Sequence, residues 1–229
     1  MAAANRLFQH TFDGAGYPSF TTAWPGFTFQ TGFAGVNPSV SVPVVDGYGR
    51  GGPSRVRGTI LWRGKSDYAP GRSDYQASVW AIWKNAGFAG DREVRLLLRM
   101  VDARNTLEVR LRSMGTGSPE LRLFKVVNGV ETQLGTTYTG APISASLLNA
   151  GVTVMGRVED LADGTTRLTA YTGSDLASAQ KGTARIDYTG DLSPFRGPHT
   201  VGVGIGGVTQ WGDLYVDNLE VYDLADEWN

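Results

Sequence analysis

The chain has 229 residues, 41% of them hydrophobic and 19% charged, a balance typical of a globular protein that buries a core. Its 21 basic residues nearly cancel its 22 acidic ones, and a net charge of −1 argues against a nucleic-acid partner bound through phosphate neutralisation. The absence of cysteine excludes disulfides and thiolate chemistry, and no apolar run approaches the ~20 residues that a membrane span needs.

Strand-like alternation of apolar and polar residues begins close to the N-terminus. In the first third of the chain it predicts strands over Arg6–Phe12, Phe27–Phe33, Val40–Val45, Arg55–Trp62 and Asp74–Trp83. The glycine-rich segment Asp46–Pro53 between them is predicted to be a flexible loop. The fifth strand has an apolar face made of Tyr75, Ala77, Val79, Ala81 and Trp83.

Four further strands follow in close succession, at Glu93–Asp102, Asn105–Ser113, Glu120–Val127 and Glu131–Tyr138. In the first of them apolar residues alternate with Arg95 and Arg99, so we expect both arginines on the face turned away from the core. Asn128-Gly129 predicts a tight hairpin, because a type I′ turn needs φ > 0 at both central residues. These strands are predicted to form a meander on one side of a β-sandwich.

The remaining strands are predicted at Val152–Glu159, Thr166–Tyr171, Arg185–Tyr188, Thr200–Ile205 and Leu214–Tyr222. Ser174–Gln180 is long enough for a single helical turn. About thirteen strands with regular turn signals indicate a sandwich or barrel. We therefore predict an all-β protein: one domain over residues 1–229, an antiparallel β-sandwich (jelly roll) with two sheets, whose first and last strands pair.

Several stretches carry a family likeness: DYQASVWAIW, LLLRMVDARNTLEVRLR, LRLFKVVNGVETQL, GVTVMGRVEDLADGTTRLTAYTG, HTVGVGIGG and LYVDNLEVYDL. In this order they resemble the concanavalin A-like lectin/glucanase (laminin G-like) superfamily, over roughly two thirds of the chain. The resemblance implies the sandwich fold. The superfamily includes lectins, glucanases, carbohydrate-binding modules and adhesive domains of bacterial viruses, and fold alone does not choose among them.

Catalysis is the least favoured of these functions. The glucanases carry Glu-x-Asp-x-x-Glu on one strand, whereas the nearest string here, Tyr215–Glu220, has tyrosine at the nucleophile position and lies on the last strand. Glu159, Asp160 and Asp163 surround a hairpin turn, where we expect solvated carboxylates. The two histidines, His10 and His199, lie in different strands without a nucleophile elbow. We expect no enzymatic activity.

A structural calcium ion is the one cofactor that the resemblance implies. In related modules an aspartate of the last strand and one near the first strand hold this ion through oxygen ligands. Asp217 would be the first of these and Asp13 the second, with Asp213 as a third donor. If Leu219 faces the core, period two puts Asp217 on the inward face, where a carboxylate needs a partner. The alternative is an aspartate that accepts backbone N–H bonds in a tight turn.

Aromatic residues divide into two groups. Those in alternating strands, such as Phe8, Phe12, Trp62 and Phe124, are predicted core residues. Those in predicted loops are candidate contacts for a glycan or a protein partner: Tyr17, Trp24, Tyr48, Tyr68 and Trp211. Rings at these places also serve to close the ends of a sandwich, and the sequence leaves the three roles open.

The N-terminal residues lack the charged and apolar regions of a signal peptide. We therefore expect synthesis in a host cytoplasm and a place in a bacteriophage virion, as a minor tail or capsid decoration protein present in several copies or as a homo-oligomer. Its expected partners are other virion proteins and cell-surface glycans. The alternative is a free carbohydrate-binding module or lectin.

Overall fold

The computed structural model describes residues 6–10, 27–30, 44–45, 48–51, 58–64, 73–83, 91–102, 104–114, 119–140, 144–174, 178–179, 183–207 and 214–224. The strands of the first half are β1 Arg6–His10, β2 Phe27–Gln30, β3 Val44–Val45, β4 Tyr48–Gly51, β5 Gly58–Gly64, β6 Tyr75–Trp83, β7 Asp91–Asp102 and β8 Asn105–Met114. Those of the second half are β9 Glu120–Val127, β10 Val130–Tyr138, β11 Val152–Asp160, β12 Thr166–Gly173, β13 Ile186–Gly190, β14 Thr200–Gly207 and β15 Leu214–Asp223. Helix α1 spans Ala145–Ala150, and a 3-10 helix spans Ser193–Phe195.

Hydrogen bonding joins these strands into two antiparallel sheets. One sheet has eight strands, in the order β13-β12-β11-β6-β15-β4-β3 with β1 also beside β15, and the other has seven, in the order β10-β9-β8-β7-β14-β5-β2. The first and last strands pair, with Gln9 opposite Glu220. The predicted all-β sandwich, with its termini in one sheet, is therefore confirmed.

The core lies between the two sheets and is built from alternate residues of each strand. On β6 the four positions Tyr75, Ala77, Val79 and Ala81 are fully buried, as the alternation predicted. The sheet opposite contributes apolar residues from the meander β7–β10 and from β14: Val94, Leu96, Leu98, Leu107, Val109, Leu111, Leu121, Leu123, Leu134, Val201 and Val203.

Side chains of the opposite sheet pack directly against Gly156 of β11. A Cβ atom at this residue would lie 2.7 Å from both Leu98 Cδ1 and Val109 Cγ2 of the opposite sheet. Since two carbon atoms make favourable contact at about 3.5–4.0 Å, this position has no room for a side chain. Glycine at 156 therefore sets the spacing of the sheets at this point.

The meander has the predicted strands, but its first strand contains an irregularity. The register between β7 and β8 shifts between Leu98 and Asp102, and Arg99 has φ of 46°. This β-bulge breaks the period of two, so the expectation that Arg99 faces away from the core is wrong: Arg99 is fully buried. Its guanidinium reaches the eight-stranded sheet, where it contacts Asp160 at the end of β11.

Three other features differ from the sequence-based predictions. Tyr48–Gly51, within the predicted loop Asp46–Pro53, forms β4 and pairs with β15. Helix α1 was not predicted, whereas residues 178–179 are helical as the Ser174–Gln180 pattern indicated. Phe124 lies under Arg110, outside the core between the sheets.

Among the described helices, none is both long and apolar enough to span a membrane.

Candidate functional site

The aromatic residues predicted as binding contacts lie mostly outside the described residues. This holds for Tyr17, Trp24, Tyr68 and Trp211. Tyr48 begins β4, opposite Val45 of β3, so it stands on a strand near the edge of the eight-stranded sheet and not in a loop. Their role as glycan or partner contacts stays a prediction.

Of the predicted calcium ligands, Asp13 and Asp213 lie outside the described residues, and Asp217 lies in β15 as expected. Leu219 does face the core, but the register of β15 against β6 shifts between Asp217 and Glu220, and Asn218 has φ of 49°. The bulge interrupts the period of two. Asp217 pairs with Trp80 of β6, and its part in a calcium site stays a prediction. Within the described ranges, no group of three or more His, Cys, Asp or Glu residues is placed to hold a metal ion.

The carboxylates at the β11–β12 hairpin are used by the fold. Asp163 accepts hydrogen bonds from the backbone N–H and the hydroxyl of Thr165, at 2.9 and 2.6 Å. Asp160 is not the solvated carboxylate that its place beside a turn suggested, since its side chain is only 11% exposed and pairs with Arg99. His10 and His199 belong to segments of different sheets.

Arg99 and Asp160 form a structural cluster at one end of the sandwich. Arg99 Nη1 donates to Asp160 Oδ1 at 2.6 Å and to the carbonyl of Phe195 at 3.0 Å, while its Nη2 donates to the carbonyl of Ser73. Asp160 also accepts from Gly197 N–H at 3.0 Å. Burial alone would raise the pKa of Asp160, but the hydrogen bonds from Arg99, Gly197 and Thr166 outweigh it and hold the pKa below its usual value.

A second polar cluster covers the outer face of the meander. Glu108, fully buried, accepts from Arg110 Nε at 2.6 Å and lies 3.4 Å from Arg95 Nη1. Glu131 of β10 accepts from both terminal nitrogens of Arg110, at 2.8 and 2.9 Å, and Arg110 stacks 4.0 Å above the ring centroid of Phe124.

In this cluster, desolvation opposes ionisation of Glu131, yet hydrogen bonds and charge from Arg110 and Arg95 lower its pKa. Each charge therefore has a partner of opposite sign within the cluster. A network satisfied in this way stabilises the meander and leaves little for a ligand to bind.

The outer face of the eight-stranded sheet is different. Thr169 of β12 lies directly opposite Arg157 of β11, which lies directly opposite Gln76 of β6. These three residues, which we call the β11 polar row, point away from the core because their neighbours Val158, Ala77 and Ala170 point into it. Three hydrogen-bonding side chains thus stand side by side across the middle of a sheet.

None of the three side chains has its hydrogen-bonding capacity satisfied. Gln76 and Thr169 are only 1% and 2% exposed, and Gln76 Nε2, Arg157 Nε and Thr169 Oγ1 are buried without a partner. Buried polar groups are normally paired, and leaving one unpaired costs about 1–3 kcal/mol. Three such atoms, each without a partner among the described residues, thus lie side by side in adjacent strands.

Tyrosines border the β11 polar row at both sides. Tyr222 of β15 lies opposite Gln76, and its hydroxyl donates to Glu220 Oε2 at 2.7 Å. Tyr171 is two residues beyond Thr169 on β12 and packs with Met155 and Ala179. The sequence did not reveal this site, because its members are 81 and 12 residues apart along the chain and only the strand register brings them together.

No protein-family model matches the sequence, and no curated protein matches it. Several solved structures do match. The exoplasmic/lumenal domain of VIP36, in its Ca²⁺/Man3GlcNAc-bound form, has a TM-score of 0.59 at 14% identity, over 90% of this chain and 86% of that one. The CBM2 module of the evolved Dit of Lactobacillus casei BL23 phage J-1 has a TM-score of 0.57 at 10% identity, over 98% of both chains. The legume lectin-like domain from Entamoeba histolytica has a TM-score of 0.51 at 11% identity, over 86% and 90%.

At these identities the likeness concerns the fold. The chain has the concanavalin A-like lectin fold, as the sequence resemblance implied. Among the matching structures, the VIP36 domain occurs in Ca²⁺-bound and metal-free forms, and the carbohydrate recognition domain of Emp46p in a potassium-bound form. The fold is thus shared by domains with and without a bound ion.

Proposed function

We propose that this protein is a non-catalytic carbohydrate-binding domain whose glycan contacts include the β11 polar row. The observation that carries the proposal is the set of unpartnered atoms on Thr169, Arg157 and Gln76, on a fold shared with lectins. A sugar presents many hydroxyls that both donate and accept hydrogen bonds, so an amide, a guanidinium and a hydroxyl side by side match its chemistry.

The absence of reaction chemistry is part of the proposal. Asp160 and Asp163, the carboxylates at the β11–β12 turn, are held by hydrogen bonds from within the protein. A glycosidase needs two carboxylates that flank one bond, one of them able to give up a proton. We expect the domain to bind glycans and to leave them intact.

We further propose that the domain belongs to a bacteriophage virion, as a minor tail or decoration protein. One observation supports this setting: the likeness in fold to the CBM2 module of a phage protein, which extends over 98% of both chains. Several copies on one particle would contact neighbouring virion proteins and cell-surface glycans together. The alternative is a free lectin or carbohydrate-binding module, which the likeness to VIP36 favours.

A glycan array probed with the purified chain tests carbohydrate binding. One shallow site is expected to bind with a Kd of about 1 mM, and display of several copies on one scaffold should raise the apparent affinity ~10²-fold. Thr169→Val with Gln76→Leu should abolish binding, whereas Thr132→Ala on the exposed part of β10 should not. Circular dichroism and melting temperature establish that each variant is folded.

Two results would contradict the proposal: an array without signal even for the multivalent form, or release of reducing sugar from a bound glycan. The virion setting has a separate test. Antibodies against the chain should label purified phage particles of the source host, and the chain should co-sediment with them. A monomer that stays in the soluble fraction and binds one glycan tightly would favour the free lectin.

A further inference from the structure

We propose that Arg157 makes the β11 polar row selective for acidic saccharides, with its guanidinium binding a sugar carboxylate. This inference rests on the proposed carbohydrate-binding function and specifies its ligand class. The juxtaposition that carries it is an arginine without any partner between an amide and a hydroxyl that also lack partners.

Arg157 differs from the other arginines whose side chains the structure describes. Arg95, Arg99, Arg110, Arg122 and Arg167 each form an ion pair. Arg104 and Arg196 donate to carbonyl oxygens, Arg185 lies over the ring of Tyr138, and Arg112 also has a partner. Arg157 alone in this part of the chain has neither a hydrogen bond, an ion pair nor a ring, although it is half-buried and its Nε is fully covered.

Two carboxylates close to Arg157 in the strand register, Glu159 on β11 and Asp187 opposite Thr169 on β13, lie beside Arg167. Arg167, two residues from Thr169 on β12, binds Asp187 through Nε and Nη2 at 3.0 and 2.6 Å. The same arginine lies 3.9 Å from Glu159, which is two residues from Arg157 on β11. The positive charge of Arg157 is therefore not neutralised by the carboxylates beside it, and it remains available to an external anion.

The chemistry of the site favours a carboxylate over other groups on a sugar. A guanidinium presents parallel N–H donors that match the two oxygens of a carboxylate, and such charged bidentate bonds are roughly twice as strong as neutral ones. Adjacent strands are about 4.8 Å apart, so the row from Thr169 to Gln76 extends over about 10 Å. This length matches a sugar ring together with its acidic group, and Arg157, the half-buried member of the row, lies at its centre.

A pair of ligands that differ only in charge tests the proposal. Oligogalacturonate and its fully methyl-esterified form have the same sugar rings, as do sialyllactose and its methyl ester, and each pair goes on one array and into calorimetric titration. The full chain is expected to bind at least one acid 10-fold or more tightly than its ester. Arg157→Leu should remove this preference by weakening binding of the acid far more than binding of the ester, and Arg157→Lys should retain part of it.

Arg167→Leu is the matched control. It removes the same charge from the same face of the sheet, but from a guanidinium that already binds Asp187. The acid preference should survive in this variant. A loss as large as that in Arg157→Leu would show general attraction by surface charge and overturn the assignment to Arg157.

Side-chain NMR gives a second measurement that does not depend on the choice of glycan. The Nε–Hε signal of Arg157 should shift on titration with galacturonate and not with its methyl ester. Equal binding of acids and esters by the full chain, unchanged in Arg157→Leu, would overturn the acidic selectivity and leave the carbohydrate-binding function intact. Absence of binding to every glycan would overturn both.

Discussion

Two arginines of the strands, Arg99 and Arg157, illustrate what a single residue contributes to this protein. Arg99 and Arg157 both stand in strands of alternating character, and burial of either side chain carries a desolvation cost. Arg99 recovers that cost through Asp160 and two carbonyl oxygens at the end of the sandwich. Arg157 does not recover it within the described residues. The first arginine therefore stabilises the fold, and the second is the one that we propose for ligand binding.

Replacing Asp160 by asparagine tests the structural role of the first arginine. Asp160→Asn leaves the fully buried guanidinium of Arg99 with only the half-exposed Asp74, 3.6 Å away, as a counter-charge, so the free energy of unfolding should fall by about 3 kcal/mol. Urea denaturation measures the loss. Adding Arg99→Met to the same chain should recover part of the stability, because the uncompensated charge is removed. Two losses that simply add would show that the two side chains do not interact.

The same pair makes stability depend on pH in a known direction. Because the pKa of Asp160 is lowered in the folded protein, its contribution is fully present above the unfolded value of about 3.9 and disappears as the pH falls through the lower folded value. The melting temperature of the natural chain should therefore drop more steeply below about pH 4 than that of Asp160→Asn. Parallel curves for the two proteins would contradict this assignment.

At the scale of the elements, packing of β11 against β7 and β8 depends on one missing side chain. Gly156→Ala introduces a Cβ 2.7 Å from Leu98 Cδ1 and Val109 Cγ2, so the two sheets or these side chains must move apart. Overpacking of this kind should lower the free energy of unfolding by about 1–3 kcal/mol, measured by urea denaturation. In a chain that already carries Val109→Ala, the same substitution should cost less. An equal cost in both chains would mean that the crowding lies elsewhere.

The meander β7–β10 is the part of the fold that the sequence predicts best, because its signals are local. Asn128 and Gly129 have φ of 53° and 82°, as the Asn-Gly turn required. Asn105, in the preceding hairpin, accepts the N–H of Asn128 at 2.9 Å, so two turns that the sequence marks separately support each other. By contrast, Arg99 does not face outward as the alternation predicts, because a bulge, which no local pattern marks, shifts the period of two.

Strand β4 was missed for a related reason. Its sequence, YGRG, lacks the β-branched residues that favour strands, and its order comes from backbone pairing with β15 and β3. Pairing partners distant in the chain can impose strand structure on residues with low intrinsic preference. Local patterns consequently locate the centre of each sheet better than its edge.

At the scale of the whole molecule, the two outer faces of the sandwich serve different purposes. The outer face of the meander is neutralised by its own network of Glu108, Arg110 and Glu131, and the opposite outer face carries the β11 polar row. Neither property is visible in composition, since charged residues of both signs are nearly equal in number. The strand register distributes them, and this is why the sequence predicts the sandwich but not the position of the site.

The predicted calcium ion concerns the whole molecule, because its ligands would join the two ends of the chain. β1 runs antiparallel to β15. His10, at the end of β1 and three residues before Asp13 in sequence, lies opposite Leu219, which is two residues after Asp217. This pairing supports a shared site for Asp13, Asp213 and Asp217, which would supply hard oxygen ligands.

If an ion binds there, it should stabilise the folded chain by mass action, raising the melting temperature as the calcium concentration increases. Asp217→Ala should remove that dependence, and Asp102→Ala, on the other sheet, should not. Equal melting temperatures in calcium and in chelator for the natural chain would exclude the ion and leave the two ends held by the β1–β15 ladder alone.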